Sequence, residues 1–168
     1  MIIYIDLDGV LADFDGYYQE ITGLTPKAYE SIYGTEKFWE QIYKDGDYFN
    51  RLEKTSFADR LISFVFDVFP DVEKKILTAL PRDYNNEFKT QKIRWVQRYY
   101  GDLFSIEQIL LSPSGEGKAQ FAQPGDILID DMQKNIDAWN AVGGNGVLVS
   151  DSEYKIFTEL ALLKTFQK

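Results

Sequence analysis

The feature that most constrains this chain is a series of short apolar runs, each stopping at a polar residue, a proline or a glycine-rich loop. Ile2-Ile3-Tyr4-Ile5 stops at Asp6, and Lys75-Ile76-Leu77-Thr78 at Ala79-Leu80-Pro81. Ile109-Leu110-Leu111-Ser112 stops before a loop with Gly115 and Gly117, Asp126-Ile127-Leu128-Ile129 at Asp130-Asp131, and Gly146-Val147-Leu148-Val149 at Ser150. Nearly continuous apolar character, rather than alternation, is what a strand buried on both faces of a parallel sheet requires. Helix-like segments separate the runs: Ala58 to Phe66, Asn86 to Tyr100, and Gln133 to Val142. In the second of these, Phe88, Ile93, Trp95, Val96 and Tyr99 can cover one face. Strands alternating with helices imply right-handed crossovers. The expected fold is therefore a three-layer, doubly wound, Rossmann-like α/β fold on a parallel sheet.

One interval breaks the alternation. Asp15 to Leu52 holds no strand-like run but is dense in aromatics: Tyr17, Tyr18, Tyr29, Tyr33, Phe38, Trp39, Tyr43, Tyr48 and Phe49. This pattern predicts a small helical cap inserted after the first strand, with an α/β core made of residues 1–14 and 53–168 and a cap of residues 15–52. A length of 168 residues suits one core, and a hydrophobic fraction of 45% supplies it. The chain has neither Cys nor His, which excludes disulfides, thiol nucleophiles, zinc sites built on imidazole or thiolate, and histidine bases. Chemistry is left to carboxylates, hydroxyls, Lys, Arg or a hard metal ion. The net charge of −9 opposes binding to a polynucleotide backbone. No apolar run, including that around Leu160 to Leu163, approaches the roughly 20 residues needed to span a bilayer. Met1 is followed at once by a strand-like run without a basic leader, so a cytoplasmic location is expected. A homodimer is compatible with the sequence.

Ligands of open α/β sheets bind beyond the carboxyl ends of the strands. The polar residues expected there are Asp6 and Asp8, Thr78, the Gly115-Glu116-Gly117-Lys118 loop, and Asp130 with Asp131. Three or four carboxylates at one mouth repel one another unless a cation neutralises them. Oxygen-only ligation selects a hard ion, and Mg²⁺ fits a site shared with a phosphate.

The run Asp6-Leu7-Asp8-Gly9-Val10-Leu11-Ala12-Asp13-Phe14 resembles the first signature of the haloacid dehalogenase (HAD) superfamily of phosphohydrolases. Thr78, Lys118 and Ile127-Leu128-Ile129-Asp130-Asp131 resemble its second, third and fourth signatures, in the family's order. Leu52-Glu53, the run from Lys92 to Gly101 and the double Asp look most like 5′(3′)-deoxyribonucleotidases. The resemblance covers nearly the whole chain. It implies that Asp6 attacks phosphorus, forming an aspartyl-phosphate, and that Asp8 protonates the leaving oxygen and then activates water. It implies Mg²⁺ held by the Asp6 carboxylate, the Asp8 main-chain carbonyl and Asp131, with Asp130 in the outer shell or bonding a metal-bound water, the division between Asp130 and Asp131 being left open. Thr78 and Lys118 would bind the phosphoryl group. Phe14, Phe38 and Trp39 would contact a nucleobase.

Two departures bear on the substrate. Ala79 replaces the hydroxyl residue that follows the second-signature Thr in deoxyribonucleotidases and can offer only its backbone N–H, and no Arg precedes Lys118 in Ser112-Pro113-Ser114-Gly115-Glu116-Gly117. The leading expectation is a Mg²⁺-dependent phosphomonoesterase for a small-molecule (deoxy)nucleoside 5′- or 3′-monophosphate. The alternatives are the same chemistry on another small phosphate ester or a nucleic-acid 3′-phosphate end, and a non-catalytic phosphate- or metal-binding protein.

Overall fold

The computed structural model describes residues 1–81, 86–150 and 152–165. The element order is β1 (Ile2–Ile5), α1 (Phe14–Thr22), α2 (Pro26–Asp45), α3 (Tyr48–Arg51), α4 (Ala58–Val68), β2 (Glu73–Ala79), α5 (Asn86–Tyr100), β3 (Ile109–Ser112), β4 (Ile127–Asp130), α6 (Gln133–Ala141), β5 (Asn145–Leu148) and α7 (Glu153–Thr165). A 3₁₀ turn, Glu116–Phe121, lies between β3 and β4. The strands form one parallel sheet in the order β3-β2-β1-β4-β5. This is the expected doubly wound fold, with the reversal of winding at β1, so that β1 and β4 present their carboxyl ends side by side.

Each strand divides its side chains between two layers. Ile3, Ile5, Ile76, Ile127, Ile129 and Val147 join the larger core with α4, α5, α7 and the α1–α3 segment. Tyr4, Leu77 and Leu128 face Ile136 and Trp139 of α6. The Tyr4 ring meets Trp139 edge-on at 5.2 Å. Burial on both faces is why these strands read as unbroken apolar runs.

The boundaries shift where hydrogen bonding, not hydrophobicity, defines the strand. β2 begins at Glu73 because its polar first residues pair in register with Ile2 to Tyr4. β4 ends on Asp130 itself, which pairs with Leu148. Helix α7 has no counterpart in the sequence reading. Ile156 and Leu160, with Phe157 and Leu163 beside them, pack on the core, but Tyr154, Ala161 and Leu162 are exposed, so apolar residues occur on the other sides as well and blur the stripe.

Local signals set the helices between β1 and α4. Asp13 caps α1 by accepting from Gly16 N, and Thr25 caps α2 by accepting from Ala28 N with Pro26 at the first position. Gly34, at φ 85° and ψ 163°, kinks α2 in a conformation open to glycine alone. The segment leaves and rejoins the core at one place. Asp13 N donates to Glu53 O at 2.8 Å, and Thr55 N to Leu11 O at 2.9 Å. No helix among the described residues is long and apolar enough to cross a membrane.

Trp95 of α5 is fully buried and its Nε1 donates to Leu52 O at 2.6 Å, tying the rejoining strand of chain to the core. Trp95→Phe keeps most of the packing but leaves that carbonyl unpaired. The expected cost is about 1–3 kcal/mol, read as a lower urea midpoint at an unchanged slope.

Candidate active site

The site begins where β1 ends. Asp6 N continues the sheet ladder by donating to Ile129 O at 2.9 Å, which fixes the Asp6 backbone beside β4. Its Oδ1 accepts from Leu7 N at 2.7 Å and its Oδ2 pairs with Lys118 Nζ at 2.7 Å. Lys118 reaches the site from the 3₁₀ turn after β3, is 1% exposed, and also pairs with Asp130 Oδ2 at 2.6 Å. Asp130 is held at its other oxygen as well, where Met132 N and Asn135 Nδ2 each donate at 2.9 Å. Asp131 instead lines an open cleft of about 600 Å³ with Gly9, Asp13, Thr55 and Ser150. Gly9 has φ 76°, and a Cβ there would lie 2.3 Å from Asp131 Oδ2. Glycine thus serves both the turn and the close approach of the acid.

Asp6, Asp130 and Asp131 each offer an oxygen within 4.8 Å of the others. Burial, opposed by Lys118 and reinforced by Asp130, Asp131 and Asp8, holds the Asp6 carboxyl well above the usual carboxylate range. Burial and the neighbouring Asp130 push Asp131 up to about 7. For Lys118, burial pulls downward, but the Asp6 and Asp130 carboxylates override it and raise the pKa above its ordinary value. Lys118 alone therefore does not offset the three carboxylates in their ionised form. An all-carboxylate donor set with surplus charge fits a hard divalent cation. Asp130 accepts three hydrogen bonds across its two oxygens and Asp6 is engaged once at each, whereas Asp131 lines the open cleft.

Asp8 lies across from this group, with a side chain 25% exposed. Its Oδ2 is ion-paired with Lys92 Nζ of α5. Its Oδ1 is buried and has no hydrogen-bond partner among the described residues. Lys92 also donates to Thr78 Oγ1 at 3.1 Å, and Thr78 is fully buried. The sequence reading missed Lys92. It placed Ile93 and Tyr99 on the covered face of α5, where both are half-buried and pack against the core, but left out Gln91 and Lys92, which are fully buried with Phe88, Trp95 and Val96. The signal was present: positions 91 and 92 fall three and four residues after Phe88 and before Trp95 and Val96, inside an apolar stripe. Asn135, the partner of Asp130, was also missed, because a polar residue in a first helical turn reads as solvent-facing.

A second cleft, of about 910 Å³, opens at the same end of the sheet between α2 and the loops after β2 and β3. Trp39 and Tyr43 line it from one side, and Leu80, Pro81 and Pro113 from the other. Of the three aromatics expected at a ligand, Trp39 alone lines this cleft. Phe38 is 8% exposed and stacks on Tyr18 at 4.7 Å, and Phe14 packs against Tyr18, Phe38, Tyr48 and Phe49. Ala79 ends β2 opposite Ser112, whose hydroxyl is turned to Ser114 O at 2.5 Å. Asp6, Asp8, Thr78, Lys118, Asp130 and Asp131 thus gather at one end of the sheet.

Comparison of the sequence with family models and with curated proteins gives no match. The fold is similar to that of a hydrolase from Streptococcus pneumoniae TIGR4, with a TM-score of 0.54 at 14% identity over 95% of this chain and 97% of that one. A HAD family hydrolase from Deinococcus radiodurans R1, solved with bound phosphate and sodium, gives 0.52 at 16% identity over 94% and 87%. L-2-haloacid dehalogenase from Xanthobacter autotrophicus, with chloropropionic acid covalently bound, gives 0.53 at 10% identity over 98% and 87%. The likeness is one of fold.

The raised Asp131 gives a pH signature. An acid whose folded pKa exceeds its unfolded value binds more protons when folded, so it costs stability as pH rises from 3.8 to about 7. In the absence of divalent cations, Asp131→Asn is expected to be more stable than the parent at pH 7.5, by on the order of 2–4 kcal/mol. That advantage should shrink as pH falls to 5. Added Mg²⁺ should raise the melting temperature of the parent and not that of the variant.

Proposed function

We propose that this chain is a phosphohydrolase of the HAD superfamily, a Mg²⁺-dependent phosphomonoesterase that works through an aspartyl-phosphate. The observation that carries the reading is the convergence, just beyond the carboxyl end of β1, of Asp6, paired with buried Lys118, and Asp8, paired with buried Lys92. Asp6 attacks phosphorus as the bond to the leaving oxygen breaks, and Asp8 gives that oxygen its proton. Water then attacks the phosphorus, Asp8 takes the water's proton, and the bond between phosphorus and the Asp6 oxygen breaks to release phosphate. Thr78 and Lys118 bind the phosphoryl oxygens, and Asp130 holds Lys118 in place. Mg²⁺ on the Asp6 and Asp131 carboxylates and the Asp8 main-chain carbonyl would offset the surplus negative charge and polarise a phosphoryl oxygen.

The same fold serves the haloacid dehalogenase noted above, so the leaving group has to be argued separately. Halide departs as a stable anion and needs no proton, which would leave Asp8 without a task. An alkoxide leaving group does need one. The phosphate reported with the Deinococcus radiodurans protein agrees with the phosphoester reading.

For the substrate we infer a nucleoside monophosphate of the 5′(3′)-deoxyribonucleotidase type, with α1–α3 acting as the cap. The cleft of about 910 Å³ is large enough for a nucleoside, and Trp39, Tyr43, Pro81 and Pro113 offer flat apolar faces to a base. Base contact remote from phosphorus supplies binding energy without entering the chemistry.

Two measurements test these readings. Asp6→Asn should abolish Mg²⁺-dependent phosphate release, and acid quenching of the parent during turnover should trap phosphate on Asp6; undiminished turnover by Asp6→Asn would refute the covalent route. Trp39→Ala should reduce kcat/KM for nucleoside monophosphates by on the order of tenfold while affecting a small aryl phosphate much less. Parallel losses on both substrates would make Trp39 a packing residue and remove the base site.

A further inference from the structure

Lys92 is an unusual place for a lysine. It lies in the middle of α5, is 0% exposed, and belongs to the helix face that carries Phe88, Trp95 and Val96 into the core. Burying an ammonium is costly unless its donors are satisfied and its charge is met. Here the group touches three partners: Asp8 Oδ2 by an ion pair, Thr78 Oγ1 at 3.1 Å, and the face of the Phe49 ring at 4.3 Å from the centroid. An ammonium has three N–H bonds, and these contacts account for three directions.

The consequence falls on Asp8. One of its oxygens is clamped by Lys92, and the other, Oδ1, is buried with no hydrogen-bond partner among the described residues. The ion pair at one oxygen restrains rotation about χ2, and the unpaired oxygen is the one with no hydrogen already directed at it. We propose that Lys92 is a positioning residue that holds Asp8 by Oδ2 so that Oδ1 exchanges the proton with the leaving oxygen and then with water. The same ammonium sets the Thr78 hydroxyl, so the acid and the phosphoryl-binding hydroxyl keep one relative position. Lys118 does the corresponding work for Asp6 and Asp130, which leaves the two lysines with separate duties.

This proposal rests on the reading of Asp8 as the proton donor, and the test separates the two. Phosphomonoesters with a graded series of leaving groups, from alkyl phosphates to p-nitrophenyl phosphate, are measured with the parent, Asp8→Asn, Lys92→Met and the double variant, all with Mg²⁺. Lys92→Met is expected to lose on the order of 10²-fold in kcat/KM on alkyl phosphates and at least about tenfold less than that on p-nitrophenyl phosphate, following the pattern of Asp8→Asn. The double variant should lose far less than the product of the two single losses, because the clamp has no acid to hold once Asp8 is gone and only the leaving-group-independent loss from releasing the Thr78 hydroxyl remains. Lys92→Arg, which keeps the charge, should recover part of the alkyl phosphate rate, and it serves as the test variant should Lys92→Met fail to fold. A leaving-group dependence in Asp8→Asn with a uniform loss in Lys92→Met, or additive losses in the double variant, overturns the assignment of Lys92 alone. Loss of the leaving-group dependence in Asp8→Asn itself overturns the acid role and the clamp with it.

Discussion

Mutual repulsion among four carboxylates is the constraint on which the carboxyl end of this sheet depends. Asp6, Asp8, Asp130 and Asp131 act on one another strongly enough that each of the other three raises the Asp6 pKa. Two buried ammonium groups hold the cluster together: Lys118 between Asp6 and Asp130, and Lys92 against Asp8. Were all four acids ionised, the two lysines would leave two negative charges, the charge of one divalent cation. The fold thus carries part of the cost of a metal-ready site in its own ion pairs, and a reading that counted Lys118 alone would leave the cluster short by one positive charge.

The sheet and the acids were legible in the sequence for the same reason. Burial on both faces makes β1, β3 and β4 read as unbroken apolar runs, and the parallel topology then puts whatever follows each run at one mouth. Asp6 and Asp130 needed no more than that. Lys92 and Asn135 were not legible in this way, because they come from helices α5 and α6, where a polar residue is ordinarily taken to face water. Only the register of α5, with Phe88, Trp95 and Val96 pinned to the core, places position 92 inside. Helix α7 was hidden by the opposite fault, being apolar on too many sides to mark a face.

The aromatic richness of α1–α3 has two origins that composition cannot separate. Most of the rings build the segment itself: Phe14, Tyr18, Phe38, Tyr48 and Phe49 pack within 4.7 to 6.4 Å of one another, and the Tyr18 and Tyr48 hydroxyls donate to main-chain carbonyls. A short helical insertion has too little aliphatic surface to make a core, and rings supply large buried area with few rotatable bonds. Trp39 and Tyr43 lie at the margin of this cluster, Trp39 edge-on to Phe38 at 5.1 Å and Tyr43 stacked on Phe88 at 5.1 Å, and both also line the cleft. Helical spacing explains the difference, because Trp39 and Tyr43 are four residues apart on one face while Phe38 and Ile42 form the neighbouring, buried one.

Helix α5 joins these two halves of the molecule. Gln91 accepts from Phe49 N at 3.1 Å and donates to Gly46 O at 3.0 Å, gripping the chain where α2 gives way to α3. Its neighbour Lys92 touches the Phe49 ring and Asp8 together. The placement of the helical segment and that of the acid are therefore referred to the same turn of the same helix. A displacement of α3 would move the ring that covers the Lys92 ammonium, and the ammonium in turn holds Asp8. Because Trp39 lies on α2, whose end Gln91 secures, the surface that would receive the leaving group and the group that would protonate it share one mechanical reference, and the core strands alone do not provide it.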